Sequence, residues 1–232
     1  MIVLTWLSLQ QVDNEQALTR SEHALTREGQ VTDRYNNAVS NIGDDSREVR
    51  LGGIYALQRI MEDSSRDQPA IINVLSTYIR NHAQKPKHRT VAPEVPASDI
   101  QAALTALGSR SPAHDGTALV DLRGTYLRGA DLDRANLQDA KLDGADLLMA
   151  SLSDAHLGGA DLADVDLRAS DLTDADLTDA VLDRADLRFA NLRGADLTEA
   201  KMVGVYVRSA KLQDANLQDA LVFSPEQSDP ER

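Results

Sequence analysis

The stretch "ADLTDAVLDRADLRFANLRGADL", Ala175 to Leu197, obeys a rule of five. Leucine stands at positions 177, 182, 187, 192 and 197, and an alanine precedes each by two residues. Read outward, an apolar centre recurs at every fifth residue from Leu122 to Val222 without an insertion, with Met202 and Val207 among the replacements for leucine. The residue two before the centre is nearly always alanine; Val120, Thr125, Val165, Ser170 and Val205 are the exceptions. The residue one before is most often Asp or Asn. A repeat this strict outranks any element-by-element assignment.

Within one unit the inward residues alternate as on a strand. The next inward residue comes three positions later, so the chain must turn a corner in between. Gly, Asp and Arg dominate the second corner position. Short inward-facing segments joined by corners make a coil, and stacked coils hydrogen-bond above and below as in any solenoid. Alanine lets the walls approach, and leucine fills the axis.

The quoted stretch resembles the pentapeptide repeat family, whose pattern is A-(D/N)-L-x-x. The resemblance runs from Val120 to Phe223. It implies a right-handed quadrilateral β-helix with four units per coil, hence about five coils. At about 4.8 Å per layer the rod would be about 25 Å long.

Four units per coil place centres twenty residues apart on one wall, so the outward residues can be sorted. One wall carries Asp139, Asp176, Asp179, Asp196, Glu199 and Asp219 with no Lys or Arg. His156 is its one other ionisable group. A second wall carries Arg128, Arg168, Arg188 and Arg208 against Asp146, Asp166 and Asp186, and adds Tyr126, Leu148, Met149, Phe189 and Tyr206. Arginine with apolar and aromatic side chains is the composition of a contact surface. This wall is expected either to dock the helical part of the same chain or to meet a separate protein. The last coil ends in Leu221, Val222 and Phe223, a candidate edge for a homodimer.

The first half reads as helices. Residues 8–42 give one long helix, with an imperfect heptad "ALTRSEH-ALTREGQ" at 17–30. A second helix restarts near Asp45, with Glu48 placed for a capping box. A third, "QPAIINVLSTYIRNHAQ" at 68–84, has Pro69 near its first turn. The pair resembles the HEAT-like hairpins of actinobacterial pentapeptide repeat proteins. The expected organisation is a helical domain at 1–84, a linker at 85–97 with three prolines, a capping helix and connection at 98–119, the solenoid at 120–223 and a disordered tail at 224–232. The fold class is α+β by segments. The helix beginning near Ser98 is expected to cover the open end of the stack, because a bare edge invites pairing.

Composition bounds the chemistry. The net charge of −13 argues against direct nucleic-acid binding. No cysteine is present, which removes disulfides, thiolate metal sites and cysteine nucleophiles. The Asp pairs 171/174 and 176/179 sit on different walls and point outward, whereas a calcium ion wants six to eight converging oxygens. The five histidines, at 23, 82, 88, 114 and 156, show no ligand spacing. We therefore expect no enzyme activity, no metal and no cofactor.

"MIVLTWL" is too short to span a bilayer, and the chain reads as cytoplasmic. The run could also end a membrane anchor, which would make the protein membrane-associated. The expected function is a protein-interaction scaffold with a protein partner. Resemblance to the family adds an alternative, a DNA mimic that binds a type II topoisomerase such as DNA gyrase and modulates it against poisons.

Overall fold

The computed structural model describes residues 28–86 and 95–221. Residues 8–27 of the expected long helix, most of the linker, Val222, Phe223 and the tail lie outside the described residues. From Asp121 to Leu221, parallel bridges join each wall residue to the one twenty further on, as in Asp121 to Lys141, Tyr126 to Asp146 and Lys201 to Leu221. One circuit of the chain thus takes four five-residue units, one per wall. Each wall contributes a single bridged residue per coil.

The repeat follows from where its backbone donors go. In the unit centred on Leu177, Asp176 N–H donates back to Ala155 O (2.9 Å), while Leu177 and Asp179 donate forward to Asp196 O (2.7 Å) and Thr198 O (2.9 Å). Ala175 N–H closes the preceding corner on Leu172 O (3.1 Å). Inside, every leucine centre from Leu122 to Leu197 is at most 2% exposed. The corners need an unusual backbone. Every second corner residue from Gly124 to Asp219 has positive φ, from 54° at Ala169 to 71° at Gly204. This is the mark of a type II turn, which glycine adopts freely. Most of these residues are not glycine, and each such corner costs about 1 kcal/mol.

Among the described residues four α-helices precede the rod: α1 over residues 28–42, α2 Arg47–Asp63, α3 Gln68–His82 and α4 Ser98–Gly108. The N-cap of α2 is Ser46, one residue later than the sequence suggested. Its hydroxyl accepts from Val49 N–H, and Glu48 meets the Ser46 hydroxyl rather than closing a capping box. Gly53 lets α1 and α2 touch: a Cβ there would stand 2.8 Å from both Ala38 O and Ile42 Cγ2. Among the described residues no helix is long and apolar enough to cross a membrane.

The helices close the first coil. That coil has no predecessor to accept from Asp121, Tyr126, Asp131 and Asn136. On two walls α3 and its C-terminal residue supply the acceptors: Ser76 Oγ takes Asp121 N–H (3.3 Å) and Ala83 O takes Tyr126 N–H (2.7 Å). On the other two α4 does so: Gln101 Oε1 takes Asp131 N–H (3.1 Å) and Gly108 O takes Asn136 N–H (2.8 Å). Side chains return the favour to the carbonyls. Arg80 donates to Asp121 O (2.7 Å), Gln101 to Asp131 O (2.6 Å) and Arg110 to Asn136 O (2.7 Å). Capping was expected of α4 alone; it takes both helices because the coil has four sides. The apolar residues of helices and rod form one continuous core.

Asp99 ties the cap together. It is buried at the start of α4 and accepts from Arg50 Nη2 of α2 (2.7 Å) and from the Tyr78 hydroxyl of α3 (2.7 Å). The opposite end of the rod is different. There the centres Val207 and Leu212 are half-buried, and Leu217 is 41% exposed.

Candidate contact site

The aspartates must be sorted by what they already hold. The N–H of the first corner residue has no place in the coil-to-coil ladder. In many units the Asp or Asn two residues earlier accepts it. Asp171 Oδ1 takes Thr173 N–H (3.1 Å), Asp176 takes Thr178 N–H (3.0 Å) and Asp196 takes Thr198 N–H (3.0 Å). This is an Asx turn, which demands a short side chain with an acceptor. Where Ser151 and Lys201 break the pattern, an aspartate of the preceding coil substitutes: Asp133 accepts from Ser153 N–H (3.0 Å) and Asp183 from Val203 N–H (3.0 Å). The Asp of A-(D/N)-L is therefore a backbone device as well as a surface charge. Asp171→Ala should cost about 0.5–1.5 kcal/mol in urea unfolding, and Asp171→Asn, which keeps the acceptor, should cost less.

On the acidic wall, Asp176 and Asp196 are engaged in this way, and each also accepts from a threonine hydroxyl, Thr178 (2.8 Å) and Thr198 (2.6 Å). The Thr198 hydroxyl and backbone hold the Asp196 carboxyl below its ordinary pKa. Asp139, Asp179, Glu199 and Asp219 are exposed second-corner residues with positive φ. Sorting by wall separated Asp174 from Asp176, but the two flank one corner. They line a shallow hollow with Arg134, Asp154 and His156.

On the second wall three of the four arginines are fixed in place. Arg128 grips Asp146 (2.8 Å), Arg168 grips Asp166 (2.6 Å) and lies 3.6 Å from Asp186, and Arg188 grips Asp186 (2.7 Å). Burial alone would raise the Asp166 carboxyl, but the Arg168 hydrogen bonds outweigh it and the pKa falls. Hydrogen bonding to Asp166 raises that of Arg168 in turn. Beside this ladder Met149 is 64% exposed, Phe189 61% and Tyr206 60%, with Leu148 half-buried. Among the described residues the helices meet this wall at its top layer, where Ala83 O accepts from Tyr126 N–H. Tyr126 is buried there, its ring 4.9 Å beneath the Arg128 guanidinium. Docking of the helical part thus uses the end of the rod and leaves Met149, Phe189 and Tyr206 exposed. At the candidate dimer edge Leu221 is 51% exposed; Val222 and Phe223 lie outside the described residues.

A twenty-residue register, single-residue walls and left-handed corners define a stacked solenoid with four units to the turn. The chain belongs to the pentapeptide repeat family: residues 120–148, 150–188 and 190–220 match the family model "Pentapeptide repeats" in 8 copies. It is similar to the pentapeptide repeat protein alr5209 from Nostoc Pcc 7120, at 34% identity over 44% of this chain and 84% of that one, with a TM-score of 0.39. It is also similar to Rfr23 from the cyanobacterium Cyanothece 51142, at 32% identity over 39% of this chain, with a TM-score of 0.39; the match spans 62% of that protein's length. A third is AT2G44920 from the Arabidopsis thaliana thylakoid lumen, at 33% identity over 47% of this chain and 66% of that one, with a TM-score of 0.25. No curated protein matches the chain.

Proposed function

We propose that the protein is a non-enzymatic interaction scaffold: a right-handed rod of about five coils, closed at one end by helices, whose arginine-bearing wall binds a protein partner. One observation carries this reading. Met149, Phe189 and Tyr206 are each about 60% exposed on a wall where Arg128, Arg168 and Arg188 are already held by aspartates. Pinned arginines lose little further freedom on contact, which lowers the entropic cost of binding. Aromatic and arginine side chains in such a setting are the usual anchors of an interface. Replacing Met149 and Phe189 together by Asp, a residue other corners of the rod carry, should weaken retention of the partner more than tenfold in quantitative co-purification. Equal retention by the double variant would sink the reading.

A second reading is mimicry of DNA toward gyrase. It is favoured by the exposed acids Asp139, Asp179, Glu199 and Asp219, which stand in one column. It predicts inhibition of gyrase supercoiling at micromolar protein, lost when these four become Asn or Gln. Unchanged supercoiling rejects it. Self-association through Leu221 and the residues after it is compatible with either reading.

A further inference from the structure

The second corner residues of the contact wall form one column: Gly129, Met149, Ala169, Phe189 and Ser209. The corresponding columns of the other three walls hold only Gly, Asp, Glu and Arg. Met149 and Phe189 have φ of 59° and 64°, a conformation that bulky side chains disfavour. Both are also largely exposed. Each residue thus bears two penalties, one of backbone and one of solvation, at a site where glycine or aspartate serves the fold elsewhere in the same rod. Strain kept without structural return points to use.

The spacing says what use. Layers lie about 4.8 Å apart, so Met149 and Phe189 form two ridges about 10 Å apart, with the methyl of Ala169 as a notch between them. An α-helix rises about 10.5 Å in seven residues, and its residues i, i+3 or i+4, and i+7 share a face. An extended peptide could not pair with this wall by its backbone, because the wall's N–H and C=O groups are spent between coils, as in Met149 N–H to Arg168 O (3.0 Å) and Ala169 N–H to Arg188 O (3.0 Å). Side chains must carry the contact. Beside the ridges, Arg128, Arg168 and Arg188 are paired with Asp146, Asp166 and Asp186, and Arg208 makes no ion pair among the described residues. We infer that this wall receives an amphipathic α-helix of a partner protein, laid along the rod, with an apolar side chain in the Ala169 notch and a carboxylate near Arg208. The inference rests on the reading of this wall as a contact surface.

The test uses the whole chain and a defined probe: a fluorescent helical peptide of about four turns with leucines at i, i+4 and i+7 and glutamates on one flank. Anisotropy should show micromolar binding. Ala169→Met, which fills the notch at a corner where Met149 is already tolerated one coil away, should weaken it at least tenfold, as should Phe189→Gly. A peptide of the same composition with its leucines scattered around the helix should also bind at least tenfold more weakly. No binding, or equal binding by the variants, overturns the helix as occupant. So does a Phe189→Gly variant that turns a dimer into a monomer in sedimentation, since the occupant would then be a second copy. Thermal unfolding separates this failure from failure of the contact reading itself. Phe189→Gly should leave the midpoint unchanged or raise it by about 2 °C. A clear fall would mean that Phe189 serves the fold, and the contact reading fails with it.

Discussion

Replacing Asp99 by alanine is expected to lower stability by about 2–4 kcal/mol, the loss of three charge-assisted hydrogen bonds at a mostly buried site. The side chain of Asp99 is 3% exposed and that of Arg50 is 15% exposed. Removing the carboxylate leaves the Arg50 guanidinium only the neutral acceptors Asp44 O, Asp45 O and the Tyr78 hydroxyl, and α4 loses its tie to α2 and α3 at once. Because α3 and α4 each close two sides of the first coil, the damage should reach the rod. Hydrogen exchange should report it as lost protection at Tyr126, Asp131 and Asn136. Loss confined to the helices would show that the cap and the rod open separately.

The same network has a two-sided dependence on pH. Burial alone would raise the Asp99 carboxyl, but the Tyr78 and Arg50 hydrogen bonds outweigh it and hold its pKa below the ordinary value. The stability it lends is present above the unfolded value of about 3.9 and is lost as pH falls through the lower folded one. Tyr78 is pushed up to about 12 by burial and by its bond to Asp99. Its contribution is complete below about pH 10 and is lost as pH rises from there toward the folded value. In Asp99→Ala the acid limb of a stability–pH profile should flatten.

Leu177→Ala should cost about 2–5 kcal/mol, since a fully buried leucine leaves a cavity that stacked walls on four sides cannot collapse into. Leu217→Ala occupies the same place in the repeat, two coils later on the same wall, and should cost under about 1 kcal/mol because Leu217 is already 41% exposed. Urea denaturation of the pair measures the difference. Similar losses would mean that the far end of the rod is covered in solution.

Much of this was legible before any coordinate. The period of five and its unbroken count gave the register, and the register gave the walls, because a strict repeat leaves no freedom in how coils stack. The arginine–apolar wall followed by arithmetic alone. What the sequence withheld were matters of hydrogen bonding. Nothing in the letters shows that Asp171, Asp176 and Asp196 serve their own corners, so they read as surface charge. The signal was nonetheless present: Asp or Asn fills most copies of one position of the five and Glu fills none, whereas a purely solubilising acid would not distinguish Asp from Glu. The cap was half legible. A helix just before the first coil suggested α4, but the partnership of Ser76 and Ala83 with the coil depends on a fold of α3 that no local pattern announces. The Asp99 network joins residues far apart in sequence and left no motif at all.

The twenty-residue register also makes the rod's length a quantised property. Among the described residues each coil bonds only to its neighbours, and the helices bond only to the first. Twenty residues could be inserted or deleted between coils with every later side chain still on its original wall. Five residues would be accommodated equally well by the backbone, yet would turn everything downstream by a quarter circle. Inserted between Met149 and Phe189, such a unit would leave the fold intact and set the two side chains on different walls. A gene drifting by single repeats therefore rewires this surface without any substitution, and a gene drifting by fours only lengthens it.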